Sequence, residues 1–210
     1  MKNKLSLIYK LIIAILSGIG LYLNFQIFTI KGALIYYTVQ STLLCFVFYL
    51  LTVFLNLIGK LKYNNLYYIL KGMVTLSLLI TMVVYQLFLS NTNAYDGNQM
   101  TSILVHLIIP LLVIFDYFIF GEKGNIKKSH PYMWSLTLVF YLIFFVIYAL
   151  MGGKFNNQSS YPYFFLNVEE YGVMGVFINC MIIYTLFLVV GNSIQVLDQR
   201  LKNRKLSGGK

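Results

Sequence analysis

The sequence predicts an all-α integral membrane protein: six transmembrane helices in a single bundle, with the N-terminus and the C-terminus both on the cytoplasmic side. Three observations carry this. Of 210 residues, 59% are hydrophobic and only 10% charged, against about a quarter charged in a soluble domain. That is too little polar surface to cover a water-soluble globule, and the mean hydropathy is +0.76. The apolar residues fall in six stretches, each near the ~20 residues a helix needs to cross a hydrocarbon core. The basic residues sit in the short gaps between those stretches, on alternate sides. The net charge of +10 therefore reads as membrane topology and not as a nucleic-acid footprint.

The first span, residues 7–30, follows MKNK. Its charged head and apolar body resemble a secretory signal, but no A-x-A-like cleavage site follows, so an uncleaved span is expected. The second, 33–58, begins after Lys31-Gly32. The third, 67–89, follows GKLKYNN at 59–65, and the fourth, 100–120, follows SNTNAYDGN at 90–98. The fifth, 133–151, comes after GEKGNIKKSHP at 121–131. The longest break, GGKFNNQSSYPYFFLNVEE at 152–170, precedes the sixth, 171–197. Each span is expected to be helical, because lipid offers no partner for an open backbone group. No break is long enough to divide domains, so residues 1–210 read as one domain.

Counting charges orients the chain. With the N-terminus, the second and fourth breaks and the C-terminal tail inside, 14 of the 16 Lys and Arg lie on the cytoplasmic side, leaving Lys31 and Lys154 outside. A cysteine introduced at 152–160 should therefore react with an impermeant thiol reagent on intact cells, and one near Lys127 should not; the reverse labelling would invert the topology. Cys45 and Cys180 both lie within apolar runs, and so indicate no disulfide framework.

Polar side chains inside spans are costly and single out candidates. At ~1.5 Å per residue, Thr38 and His106 lie at a similar depth below the outer ends of spans two and four. Gln40 and Ser41 flank Thr38. Asn24 and Gln26 approach the outer end of span one, Gln86 that of span three, and Asn179 lies within the outer part of span six. The outer third of the bundle is thus polar at one level, as a cavity facing the outer leaflet would be. Pro110 should deprive the His106 carbonyl of its helical partner and open space beside the imidazole. Each has a plainer use. Ser and Thr commonly bond the carbonyl one turn back, Asn and Gln bridge helices, and proline kinks serve packing. No metal is expected, because His106 and His130 fall on opposite sides. Asp116 is ~15 Å along the axis from His106, too far to orient it, and is expected to pair with a cation such as Lys71.

Three segments resemble a known family. IYYTVQSTLL at 35–44, HLIIPLLVIFDYFIF at 106–120 and YPYFFLNVEEYG at 161–172 are similar to bacterial six-span members of the androgen-induced gene 1 superfamily. Its animal relatives include the androgen-dependent regulator of tissue factor pathway inhibitor. The resemblance implies an intramembrane threonine hydrolase acting on fatty acid esters of hydroxy fatty acids or similar acyl lipids. By motif, the threonine nucleophile falls on Thr38 and the histidine base on His106. The Val39-Gln40-Ser41 that follows Thr38, and the His106-to-Pro110 spacing, look like the bacterial subgroup rather than the animal proteins, which leaves the substrate open.

On this reading His106 takes the Thr38 hydroxyl proton as Oγ attacks an ester carbonyl. Gln40, Ser41, Gln86 and Asn179 are the candidate substrate or oxyanion contacts. The expected partner is a membrane lipid or acyl ester, with no cofactor, metal or nucleic acid; the expected location is the cell membrane, with the site near the outer leaflet. Two alternatives stay open: a non-catalytic lipid-binding or transport protein, and an intramembrane lipid acyltransferase, in which an alcohol resolves the acyl-enzyme and Cys45, ~10 Å deeper than Thr38, is a lower-ranked choice of nucleophile.

Overall fold

The computed structural model of the chain describes residues 2–89, 98–153 and 161–207. Residues 90–97 of the expected break at 90–98, and 154–160 of that at 152–170, with Lys154, lie outside the described residues. The described residues form nine α-helices in order and no strand. They are α1 (Lys2–Ile27), α2 (Ile30–Ala33), α3 (Tyr37–Leu57), α4 (Asn65–Val84), α5 (Gln99–Ile103), α6 (Ile109–Phe120), α7 (His130–Trp134), α8 (Leu136–Leu150) and α9 (Val168–Ser207). π turns at Tyr85–Leu89 and Leu104–Ile108 extend α4 and join α5 to α6. Six helical runs are long and apolar enough to cross a membrane: Lys4–Ile27, Tyr37–Leu57, Asn65–Leu87, Gln99–Phe120, His130–Leu150 and Val168–Asn203. The protein is an all-α, multi-pass membrane type.

The span boundaries differ from expectation in three informative places. Span two starts at Tyr37 rather than near residue 33, because Thr29 caps a separate short helix, its hydroxyl accepting the Gly32 N–H, and Leu34–Tyr36 form a turn before α3. This brings Thr38 into the first turn of a helix. Span five starts at His130, which is wholly buried with Nε2 3.1 Å from Asn65 Oδ1, and so is not a loop residue. The last helix continues well past Leu197. Its Asp198, wholly buried, accepts the N–H groups of Gly124 and Ile126 at 2.8 and 3.0 Å and the Tyr117 hydroxyl at 2.8 Å, tying the tail to the loop after α6.

The core lies along α4, which packs against α3, α6, α7, α8 and α9. One cluster joins α1, α3, α4 and α6 through Ile13, Cys45, Tyr49, Val74, Leu78 and Ile109. A second joins α4 to α7, α8 and α9 around Leu76, Trp134 and Phe187. Gly72 permits the second: a Cβ there would lie 2.0 Å from the Trp134 ring, so the indole packs on bare helix backbone. Many large apolar side chains on the outward faces, such as Leu51, Phe54, Phe140 and Ile182, are exposed, as a bundle solvated by lipid requires.

Lys10 and Lys71, counted above with the charges of the cytoplasmic side, lie inside the bundle, 5% and 6% exposed. Their ammonium groups approach the two oxygens of Asp116 at 3.0 and 2.6 Å, and Tyr49 donates to the same carboxylate at 3.1 Å. The expected Asp116–Lys71 pair is thus present, with a second cation added. Removing both lysines from the count leaves 12 basic residues against two, the same sign of asymmetry.

Candidate functional site

Thr38 and His106 meet. Thr38 Oγ1 lies 3.3 Å from His106 Nε2, across α3 and the π turn of the fourth span. Proline explains that turn. Pro110 has no N–H to return to the His106 carbonyl, and the backbone just before it widens so that the Ile109 N–H reaches Leu104 five residues back. The helix absorbs the expected break as a π turn, a feature frequent at functional sites.

The imidazole is held on its other side. His106 Nδ1 lies 3.0 Å from the Ser102 carbonyl and 3.3 Å from the Ser102 hydroxyl. A carbonyl can only accept, so Nδ1 carries the proton and Nε2 of the neutral ring presents a lone pair to Thr38. The Tyr85 ring stacks on the imidazole at 3.9 Å and 14°, and its hydroxyl accepts from Ser102 at 2.6 Å. No carboxylate is needed to orient the histidine, since a main-chain carbonyl one turn back does so.

The Thr38 hydroxyl is directed outward by the local chain. In the first turn of α3, the carbonyl it would bond one turn back belongs to Leu34, and the Gln40 side chain donates to that oxygen at 2.8 Å. Ser41 and Thr42 donate back to the Thr38 carbonyl at 2.9 and 2.8 Å. The plainer use of an intramembrane threonine is thereby taken by its neighbours.

Tyr163 closes the site from the loop before α9. Its hydroxyl oxygen accepts the Tyr37 N–H at 3.0 Å and lies against the N–H and hydroxyl of Thr38. Burial pushes the phenol up to about 12, so it stays protonated at neutral pH. The segment 161–166 thus turns inward rather than lying free as an outer loop, and Leu166 is 1% exposed. Asn179 fastens it, donating to the Phe165 carbonyl at 3.0 Å.

Of the candidate oxyanion contacts, then, Gln40 and Asn179 have side-chain amides committed to backbone carbonyls, and Ser41 faces the Thr38 carbonyl and, at 3.4 Å, Thr81. Gln86 is exposed on the π turn after Tyr85. These four support the site from behind or lie at its edge. The N–H groups beside the Thr38 hydroxyl are those of Tyr37 and Thr38, which face the Tyr163 oxygen and which sequence reasoning missed because it set the helix start four residues too early. Cys45 is wholly buried with Sγ 3.3 Å from Ser17, facing α1 and not His106.

Thr38 opens onto a narrow apolar cleft of about 70 Å³ between α4, α8 and α9. Ile80, Leu138, Leu142 and Ile183 form its walls, and Tyr141, whose hydroxyl makes no hydrogen bond of good geometry, stands beside Tyr163. Comparison with protein-family models, with curated proteins and with solved structures finds no match for this chain.

Proposed function

We propose that the protein is an intramembrane ester hydrolase acting on acyl lipids, with Thr38 as nucleophile and His106 as general base. The observation that carries this is the 3.3 Å approach of Thr38 Oγ1 to an Nε2 left unprotonated by the Ser102 carbonyl. His106 accepts the hydroxyl proton as Oγ bonds to the ester carbonyl carbon. The carbonyl oxygen becomes an oxyanion at the start of α3, where the Tyr37 and Thr38 N–H groups, which have no partner within the helix, and the positive end of the helix favour negative charge. The Tyr163 phenol oxygen occupies that position here, and when it yields to the oxyanion its O–H becomes a further donor. Collapse breaks the ester C–O bond, and His106 returns the proton to the departing alkoxide, which leaves as the alcohol. A water then attacks the acyl-threonine with the same proton passing through His106, releasing the fatty acid and restoring Thr38. The apolar walls of the cleft beside Thr38, Ile80, Leu138, Leu142 and Ile183, are where the first carbons of the acyl chain are placed.

Labelling of the purified protein with a fluorophosphonate, followed by mass mapping, tests the nucleophile. The adduct is expected on Thr38 and absent from His106→Ala. An adduct elsewhere, with Thr38 unmodified, would sink the assignment.

The pH dependence separates an enzyme from a lipid-binding pocket. A general base works only when neutral, so kcat/KM should rise with pH as His106 loses its proton. A pocket using the imidazolium to hold an anionic headgroup would bind more weakly as pH rises, with no bond cleaved. Ester cleavage and lipid binding followed from about pH 3 to 8 in one detergent preparation, with folding checked at each pH, distinguish the two.

A further inference from the structure

At the end of the bundle away from Thr38 and His106, a cavity of about 730 Å³ opens among the starts of α1 and α4 and the end of α6. Lys10 and Lys71 line it, both more than nine-tenths buried. Asp116, which both lysines contact, is 0% exposed and sits behind them. Two ammonium groups thus share one carboxylate, and one positive charge is left over inside the bundle.

The hydrogen-bond count points the same way. Two ammoniums carry six N–H donors, and a carboxylate offers about four acceptor sites. Tyr49 takes one of those sites, and the Ser6 hydroxyl accepts a single bond from Lys10. Donors remain that the protein's own groups do not use. At the rim, Glu122 accepts from the Tyr68 hydroxyl at 3.1 Å, while Lys123 donates to the Tyr117 carbonyl. These two charges cancel, so the charged side chains that line the cavity, taken with Asp116 behind them, sum to one positive charge. The next carboxylate, Asp198, is not in the lining and is held by the Gly124 and Ile126 N–H groups and the Tyr117 hydroxyl. A buried unbalanced cation favours an anion brought to it.

The size narrows the ligand. Pockets of ~300–1,000 Å³ take whole small molecules rather than single ions. The cavity lies at the end of the helices, where lipid headgroups stand when six spans cross a bilayer, and Leu7, Phe118 and Ile194 add apolar wall. We propose that this vestibule binds the phosphate headgroup of an anionic phospholipid, with Lys10 and Lys71 as its cationic contacts. The inference uses neither Thr38 nor His106, and so stands or falls apart from the hydrolase reading.

Trp134 is the single tryptophan and lines the vestibule, which supplies a probe in the native chain. Its fluorescence is titrated with phosphatidylglycerol and with phosphatidylcholine in an uncharged detergent. A saturable change with phosphatidylglycerol, at least tenfold tighter than with phosphatidylcholine, is expected. Lys10→Gln leaves the neutral Lys71–Asp116 pair and Lys71→Gln the neutral Lys10–Asp116 pair. Either should weaken phosphatidylglycerol at least tenfold, while Lys10→Arg retains it. Millimolar inorganic phosphate is the second ligand. If it displaces the lipid, the site takes the phosphate group itself; if it does not, the acyl chains are part of recognition. Equal affinity for the two lipids overturns the proposal, as does undiminished phosphatidylglycerol binding in a lysine variant that elutes like the parent. Should neither glutamine variant fold, the comparison of the two lipids on the parent chain decides alone.

Discussion

Thr38→Ala should abolish ester cleavage, lowering kcat by roughly 10⁴-fold or more, the scale on which enzymes lose rate when a nucleophile is removed. The fold should survive. Thr38 is partly exposed at the first turn of α3, its hydroxyl meets His106, and the bonds that hold the turn use its carbonyl, which alanine retains. Thr38→Ser keeps the oxygen but loses the β-methyl that restricts χ1, and should keep measurable activity at about a tenth of the parent rate. That tenth corresponds to ~1.4 kcal/mol in the barrier, a reasonable cost for a looser hydroxyl. The measurement is single-turnover cleavage of a fluorogenic long-chain ester, with elution profiles to verify folding. Cleavage by Thr38→Ala at the parent rate would remove the threonine from the chemistry.

Asp116→Ala should be the most destabilising single change in the bundle. It leaves Lys10 and Lys71 facing each other with no anion between them, and removing one member of a buried ionic group costs about 3–5 kcal/mol. Tyr49 also loses its acceptor. A steep fall in thermal midpoint in detergent is expected, or no folded protein at all. The triple replacement Lys10→Met, Lys71→Met, Asp116→Leu is the informative control. It removes every charge and fills similar volume, and such swaps are often neutral or stabilising. If the triple variant melts near the parent while Asp116→Ala does not, the penalty belongs to unpaired charge. If Asp116→Ala melts like the parent, the three groups do not form the ionic unit described.

Much of the architecture was legible because lipid imposes simple rules. A hydrocarbon core accepts only long apolar helices, so six apolar runs became six spans. The site was legible in part. Thr38 and His106 share a depth, and depth follows from counting residues along a rigid helix. Ser102, one turn before His106, was open to the same reasoning, since residues four apart share a helix face. The partners that arrive from distant segments were not. Tyr85 comes from the end of the third span, and Tyr163 from a stretch whose polar composition reads as exposed loop. Its inward turn depends on Leu166 being buried and on Asn179 fastening Phe165, neither of which has a local pattern.

The sequence by itself determined the class of protein, the number of spans and which polar groups lie at one level, because these follow from hydropathy and from the fixed rise of a helix. Only the tertiary structure decided which of those groups meet. The late start of α3 set the Tyr37 and Thr38 N–H groups beside a buried phenol, and the π turn before Pro110 turned His106 toward Thr38. Lys71 was the expected partner of Asp116, but Lys10 was indistinguishable by sequence from a surface charge, and the three became one internal ionic group only when α1, α4 and α6 packed around Asp116. The physical reason is common to all three. Span formation is a property of each segment against lipid, whereas contacts between side chains depend on helix rotation and register, which are set by packing among segments far apart in the chain.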